Sequence, residues 1–386
     1  MTCPHCREDA RCKGLRGRAA LTLLGALRFE RHYYHCRHCG RGSSPLDQAL
    51  GLTAGDLSPA AEEVVCLAGV QASFAEAASR TLSRLAGLRV SESTAQRATE
   101  AAGGRVEKAQ AAGQTFGPAQ PWAWHKDADG CTVGYLSADA TGVGQQGPAP
   151  GQGAEGRMAY VGMIYNPVPA DRQRWADPHG RRPAWQARYV AQLQPLAALS
   201  EPLRRQGGQV GLDQAQRWIA LSDGGAGLED FLRENFPRVE EVILDFYHVA
   251  EYLSELAKAL HPGQEAEAQA WQTSWCQRLK QEGGPAVLAA LRALDLKGRP
   301  RAARPKYDEV LRYFENQVHR MDYPCYLARG WQIGSGPVES ACKTVVGARL
   351  KGGGMRWGSA GADTVCHLRA LFRSEVGQWE ALWSRN

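Results

Sequence analysis

The sequence feature that most constrains the fold is the stretch from Arg217 to His248, in which two short apolar runs flank a helical pattern. The first apolar run ends at Asp223 and a turn, which is typical of a buried strand. The second ends at Asp245, three residues before His248. A strand–helix–strand unit of this length favours a parallel pair. Open α/β sheets bind ligands at the carboxyl ends of such strands, so the two aspartates and the histidine are candidate functional residues.

More strands precede this unit, and a helical region follows it. Strand-like segments occupy 131–139, 158–165 and 187–192, with a turn predicted at 145–153 and helical character between 193 and 216. Three antiparallel strands followed by helix, strand, helix and strand predict a mixed sheet of the ribonuclease H-like plan. We therefore predict a multidomain α/β protein with a catalytic domain over 127–386 and an inserted helical subdomain at about 250–323.

Three acidic residues occupy points of this plan that should converge. Asp139 ends the first strand, Asp223 ends the fourth, and Glu339 follows a glycine-rich turn at the start of a late helix. Mg²⁺ and Mn²⁺ prefer carboxylate ligands, and two such ions about 4 Å apart support in-line phosphoryl displacement. Each acid alone also has a structural interpretation, as a turn former or as an acid favoured in the first turn of a helix. The three together predict a two-ion site for phosphodiester chemistry.

Residues 1–57 contain two matched cysteine pairs. Cys3 and Cys6 form the first pair, and Cys36 and Cys39 form the second. Two such knuckles complete a tetrahedral thiolate site, so the segment is predicted to be a zinc ribbon whose structural Zn²⁺ supplies folding free energy. A free-thiol redox pair is the alternative. Further potential ligands in this segment are Cys12, His5, His32, His35 and His38.

The charge of the chain is concentrated in this same segment. Residues 1–45 carry nine Lys or Arg against three acids, and the whole chain has a net charge of +6. This concentration is expected either of a nucleic-acid contact or of a solvated basic face. No apolar run approaches the ~20 residues of a membrane span, and the N-terminus has no signal-peptide pattern. With 11 cysteines and no export signal, we expect a cytoplasmic, nucleoid-associated protein without membrane contact.

Residues 58–115 predict three short helices that begin at Ser58, Ser73 and Ser91. A tight link before the third helix favours a helix-turn-helix that contacts DNA through Arg97, although a plain helical bundle gives the same pattern. Residues 112–126 are rich in Gly, Pro and Trp and are interpreted as a linker.

Several longer motifs resemble one known family. They are CPHC…CRHCG followed by PLDQALGL, then SADATG, LSDGG, LDFYHVAEYL, GSGPVESACK, and RLKGGGMRW followed by HLRAL. The chain resembles bacterial insertion-sequence transposases of the DDE, ribonuclease H-like type, closest to the ISKra group and related to Mutator-like transposases. The resemblance implies that Asp139, Asp223 and Glu339 are the metal-binding catalytic triad. It also implies that Asp245 and His248 match the Asp/Cys-x-x-His signature after the second catalytic acid.

Two assignments within this resemblance stay open. A rival alignment makes Asp245, rather than Asp223, the second catalytic acid. His248 either stabilises the scissile phosphate or caps a helix. Downstream, a basic stretch is expected to neutralise DNA phosphates, and Trp357 either stacks on a base or packs in the core. The basic residues are Lys343, Arg349, Lys351, Arg356 and Arg369.

The function predicted from these observations is DNA transposition. The sequence has no P-loop, nucleophile elbow or zinc-protease helix motif. We expect hydrolysis of a phosphodiester at terminal inverted repeats and attack of the freed 3′-hydroxyl on target DNA, by at least a homodimer. The alternatives are a non-catalytic DNA-binding regulator and a structure-specific nuclease on the same fold.

Overall fold

The computed structural model describes residues 1–52, 55–147, 155–167, 186–375 and 377–384. The chain forms two compact units. One contains residues 1–106 and the C-terminal segment from Trp379, and the other runs from Glu107 to Gln378. The fold is mixed α/β with a mixed sheet, as predicted.

The first unit begins with a small antiparallel sheet. Its strands are β1 (Ala10–Thr22), β2 (Gly25–Cys36) and β3 (Gly42–Ser43), in the order β1-β2-β3. A short helix, α1 (Pro45–Ala49), follows. Its Asp47 lies 2.6 Å from Arg18 and 3.1 Å from Arg31, so two of the basic residues of the N-terminal segment are paired within the unit.

The predicted helices of the first unit are confirmed. They are α2 (Pro59–Gln71), α3 (Phe74–Glu76), which continues through a π-helical turn (Ala77–Leu82) into α4 (Ser83–Leu85), and α5 (Glu92–Ala111). Each begins after the serine predicted to cap it. Ser58 accepts from the N–H of Ala61, Ser73 from that of Glu76, and the Ser91 hydroxyl accepts from a first-turn N–H of α5. These bonds satisfy donors that a helix start leaves unpaired.

The second unit is built on a mixed sheet. Its strands are β4 (His125–Lys126), β5 (Thr132–Val143), β6 (Arg157–Asn166), β7 (Gln186–Gln192), β8 (Arg217–Ser222) and β9 (Val239–Leu244). The order is β7-β6-β5-β8-β9, and β4 pairs with β5. Neighbouring strands among β5, β6 and β7 are antiparallel, whereas β8 is parallel to both β5 and β9. The predicted strands are all present; residues 148–153 of the predicted turn lie outside the described residues.

One face of this sheet packs against α6 (Ser200–Gln209) and α7 (Leu228–Asn235). Leu136 and Ala138 of β5 belong to this core, so the alternate residues of the strand face the other side. The same core contains Trp122 and Trp124, which are 5% and 8% exposed. The interpretation of 112–126 as a linker is therefore wrong, because its tryptophans pack in the core of the second unit and its last residues form β4.

Helices follow β9. They are α8 (Phe246–Leu260), α9 (Glu265–Arg292), α10 (Ala303–Gln317) and α11 (Tyr323–Ala328). α9 is two helices joined at Gly283, whose φ of 81° interrupts the helical backbone. The chain then forms α12 (Gly336–Ala341), a π-helical turn (Cys342–Gly347), α13 (Ala348–Leu350), α14 (Ser359–Arg373) and α15 (Gln378–Trp383). Within the described residues, none of the helices has both the length and the apolar character of a membrane span.

Candidate functional site

Asp139 and Asp223 lie at matching positions of two neighbouring parallel strands. The register of β5 and β8 ends with Ser137 opposite Leu221. The two aspartates come two residues later on each chain, and residues two apart on a strand share a face. Adjacent strands are about 4.8 Å apart. The prediction that Asp139 ends its strand is wrong, because β5 continues to Val143 through its pairing with β6.

Glu339 approaches this place from α12, which contacts β5 and β6. The helix is fixed by the residue before it, since the carbonyl of Ser335 accepts the N–H groups of Val338 and Glu339 at 2.9 and 3.1 Å. Pro337 in the first turn favours a helix start. Glu339 thus lies in the first turn, as predicted, and the side chain is 48% exposed.

Electrostatics link the three carboxylates. Burial raises the pKa of Asp139, and repulsion from Asp223 and Glu339 raises it further. The backbone N–H of Ala140 and the thiol of Cys342 act in the opposite direction. Repulsion of this kind requires that the charges lie close together in a partly desolvated place, and a cation between them would relieve it.

A cavity of about 440 Å³ opens beside Asp139. Its lining residues are Asp139, Ala140, Thr141, Glu339, Cys342, Lys343, Gly347 and Lys351. The ammonium of Lys343 lies 3.3 Å from a carboxylate oxygen of Glu339, and that of Lys351 donates to the hydroxyl of Thr141 at 2.9 Å. Two acids and two lysines therefore line the cavity. Thr141 and Cys342 were not predicted as part of the site.

The donor set of this cavity suits a hard divalent cation, since carboxylates are preferred by Mg²⁺ and Mn²⁺. Among the described residues, the three acids are not a group whose ligand atoms all lie within 4.8 Å of one another. Two ions about 4 Å apart do not need such a group, because different acids bind different ions. The side chain of Glu339 is 48% exposed and is paired with Lys343 at 3.3 Å.

Asp245 has a different environment from the other acids. It is 1% exposed, and both carboxylate oxygens accept hydrogen bonds. One accepts the N–H of Tyr247 at 2.9 Å, which makes Asp245 the N-cap of α8, and the other accepts the hydroxyl of Ser335 at 2.7 Å. Ser335 in turn holds the start of α12. Asp245 therefore joins α8 to the segment that positions Glu339.

His248 lies within the first turn of α8 and does not cap it, because Asp245 does. Its ring is 5.5 Å from that of Tyr252 and 6.2 Å from that of Tyr313, and the two tyrosines stack at 3.9 Å. A Cβ at Gly224, next to Asp223, would lie 2.7 Å from the Tyr313 ring, so a larger residue there would require the ring to shift. The two tyrosines, which were not predicted, thus form an aromatic group beside the acids with His248.

The predicted DNA-contacting residues separate into two sets. Arg349 is 2% exposed and its guanidinium lies over the ring of Trp357, which is itself buried. Arg369 is 1% exposed and donates to the carbonyls of residues 344 and 345. Both arginines support the interior, and Trp357 packs in the core, so none of the three is available to DNA in this structure. The exposed basic residues are Lys343, Lys351, Arg356 and, in the first unit, Arg97.

The four predicted cysteines of the first unit come together. They are Cys3, Cys6, Cys36 and Cys39, and all their sulfur atoms lie within 4.8 Å of one another. The sulfur of Cys3 is 3.6 Å from that of Cys39, and the sulfur of Cys6 is 3.5 Å from that of Cys36. A tetrahedral zinc site with Zn–S bonds of about 2.3 Å has sulfur atoms about 3.8 Å apart. The cluster is therefore compatible with a zinc ribbon.

The backbone around the cluster favours thiolates. The backbone N–H of His5 lowers the pKa of Cys3 to about 7, against the effect of burial and assisted by the N–H of Cys6. The N–H of Glu8 acts in the same direction on Cys6, but burial and the neighbouring sulfurs raise that pKa to about 12. The surroundings thus lower the pKa of Cys3 and raise that of Cys6, and a cation bound to the cluster would favour the thiolate form.

No protein-family model matches this chain, and a search of curated proteins finds no significant match.

Proposed function

We propose that this protein is a DNA transposase of the DDE type and that the sheet of its second unit is ribonuclease H-like. The observation that carries the proposal is the convergence of three acids from distant parts of the sequence, since Asp139 and Asp223 follow matching positions of β5 and β8 and Glu339 lines the same cavity as Asp139. The strand order β7-β6-β5-β8-β9, with its antiparallel and parallel halves, supports the fold. The motifs described above support the family.

In this proposal the three acids hold two Mg²⁺ or Mn²⁺ ions, which would supply electrophilic stabilisation of the phosphate undergoing displacement. The protein contributes position and charge. The cavity beside Asp139 would admit the scissile phosphate, and Lys343 and Lys351, which line it, would offset the charge of that phosphate. His248 and the tyrosine pair offer an imidazole and a flat apolar surface beside Asp223, suited to a phosphate and a nucleotide base. Asp245 positions Glu339 through Ser335.

The geometry favours Asp223 over Asp245 as the second acid. Asp223 is partly exposed beside Asp139, whereas Asp245 is buried and its carboxylate is engaged by an N–H group and a hydroxyl. Both oxygens of Asp245 already accept hydrogen bonds in the interior, whereas one oxygen of Asp223 accepts the exposed N–H of Gly225.

The first unit is proposed to bind DNA. The four-cysteine cluster would hold one structural Zn²⁺ that stabilises the β1–β2 hairpin, whose strands carry many exposed arginines. Helix α5 presents Arg97 to solvent. Terminal inverted repeats are the proposed ligand of these surfaces, and joining of two ends requires at least a homodimer.

The test is cleavage and joining of duplex DNA taken from the two flanks of the gene. Strand-transfer products in Mg²⁺ or Mn²⁺ would support transposition, whereas cleavage without joining would indicate a nuclease on the same fold. Binding of these ends with neither cleavage nor joining in either metal would favour the non-catalytic regulator.

A further inference from the structure

A second group of metal-ligating side chains lies in the second unit, outside the cavity of the three acids. Glu107 near the end of α5, with Asp363 and His367 of α14, brings one ligand atom of each residue within 4.8 Å of the others. Asp363 and His367 are one helical turn apart and are 6% and 4% exposed, while Glu107 is half-buried. We propose that Glu107, Asp363 and His367 bind a divalent transition-metal ion such as Zn²⁺, Co²⁺ or Mn²⁺.

The hydrogen bonding of His367 carries the proposal. Its Nδ1 lies 2.7 Å from the side-chain oxygen of the buried Gln110. Since that amide oxygen only accepts, Nδ1 holds the proton, and Nε2 has a free lone pair in a neutral ring. Nε2 is buried, has no hydrogen-bond partner among the residues that the structure describes, and lies 3.9 Å from a carboxylate oxygen of Asp363. Metal-binding histidines have this arrangement, in which one nitrogen donates to a carbonyl and the other binds the ion.

Without a metal ion, neither protonation state of Nε2 suits the cluster of Glu107, Asp363 and His367. If Nε2 is unprotonated, its lone pair faces the carboxylates of Asp363 and Glu107, so electron-rich atoms meet without a proton or cation between them. If Nε2 is protonated, an imidazolium is held in the interior. An imidazolium is disfavoured there because His367 is 4% exposed and a buried charge loses its hydration. A cation between the three atoms satisfies the lone pair and both carboxylates together.

The carboxylate of Asp363 is already oriented for this role. One oxygen accepts the backbone N–H of Leu193 at 2.6 Å, and the other accepts the amide of Gln194 at 3.0 Å. Each oxygen keeps a second lone pair for a metal. Ligands about 2.1 Å from an ion are about 3 Å apart when adjacent and about 4.2 Å when opposite, so a small contraction of the cluster suffices. One imidazole with two carboxylates suits zinc, cobalt and manganese better than soft or purely hard cations.

The ion would join three separate segments of the second unit. α5 provides Glu107, α14 provides the other two ligands, and the chain just after β7 is held through Leu193. α14 also contacts β7. The site therefore fixes α14 against the edge of the sheet, and it does not depend on the proposed transposase activity.

Equilibrium dialysis of the full chain against Co²⁺ tests the site. Glu107→Gln removes one ligand charge at a half-exposed position, and Glu100→Gln on the same helix is the matched control. We expect wild type and the control to bind one more equivalent of Co²⁺ than Glu107→Gln, or to bind it at least tenfold more tightly. Gln110→Ala should weaken the same equivalent about 10–100-fold, because it removes the partner that sets the histidine tautomer.

The visible spectrum separates this equivalent from the others. Cobalt held by thiolates absorbs strongly through charge transfer from sulfur, whereas the equivalent lost in Glu107→Gln should lack that absorption. Identical isotherms for wild type and Glu107→Gln would overturn the proposal, and so would loss of the thiolate band in the variant. Any cobalt bound by Asp139, Asp223 and Glu339 is the same in wild type and in all variants, so it cancels in the comparison. The result is therefore independent of whether the protein cleaves DNA.

Discussion

Replacing Asp245 by alanine is expected to destabilise the protein without directly removing a catalytic group. The substitution deletes the N-cap of α8, which costs about 1 kcal/mol. It also leaves the buried hydroxyl of Ser335 without its acceptor, a hydrogen bond to a carboxylate that contributes about 1.5–3 kcal/mol. The expected loss in the free energy of unfolding is therefore about 2.5–4 kcal/mol. Asp223→Ala is the matched comparison, because among the described residues the Asp223 carboxylate accepts just the exposed N–H of Gly225, and its loss should cost less than about 1 kcal/mol.

Urea unfolding in the presence of zinc measures the free energy of unfolding of both variants. The slope of this free energy against urea concentration should be the same as for wild type. DNA cleavage is measured in parallel at a temperature where each variant is folded. We expect Asp245→Ala to be less stable and to keep reduced but detectable activity, and Asp223→Ala to be stable and inactive. An Asp245→Ala protein of wild-type stability without cleavage activity would refute the reasoning and make Asp245 the second catalytic acid.

Three further predictions concern other parts of the molecule. Cys36→Ser should release about one equivalent of zinc and unfold the N-terminal sheet by circular dichroism, whereas Cys12→Ser should do neither; equal zinc content in the two would contradict the proposed site. Burial and neighbouring carboxylates raise the pKa of Asp139 above the ordinary value of 3.8, so the folded protein holds that proton to higher pH than the unfolded chain. Stability without divalent ions should therefore fall as pH rises from 3.8 through the raised pKa. Asp139→Asn should flatten that pH dependence and be more stable than wild type at neutral pH; an unchanged profile would show that the carboxylate is not repelled. Lys351→Ala should reduce the salt dependence of DNA binding by about 0.9 in a log–log plot with unchanged stability, whereas Arg349→Ala should lower the melting temperature; the reverse pattern would show that Arg349 reaches DNA.

Much of the fold could be predicted because its signals are local. Apolar runs marked the strands, and serines marked the helix starts. The sequence interpretation of 112–126 as a linker is wrong because Gly and Pro suggest a turn, whereas the burial of Trp122 depends on β-strands and helices far along the chain. The extent of β5 beyond Asp139 was missed because its pairing partner, not its own composition, sets its length.

The candidate sites likewise contain residues that the sequence predicts and residues that it does not. Clusters built from residues close in sequence, such as Cys3 and Cys6, can be predicted directly from the sequence. Basic residues could not be assigned to surface or interior from charge alone, as the buried Arg349 shows. The group at His367 had no sequence signal, since Gln110 and His367 are 257 positions apart and meet only in the folded chain.

The most direct test of the central proposal is joining of DNA ends by wild type, Asp223→Asn and Asp245→Asn. Each is incubated with Mg²⁺ or Mn²⁺ and duplexes from the two flanks of the gene, and strand-transfer products are measured on a sequencing gel. We expect products with wild type, none with Asp223→Asn, and reduced but detectable products with Asp245→Asn. Wild-type protein that binds these duplexes but neither cuts nor joins them in either metal would contradict the account.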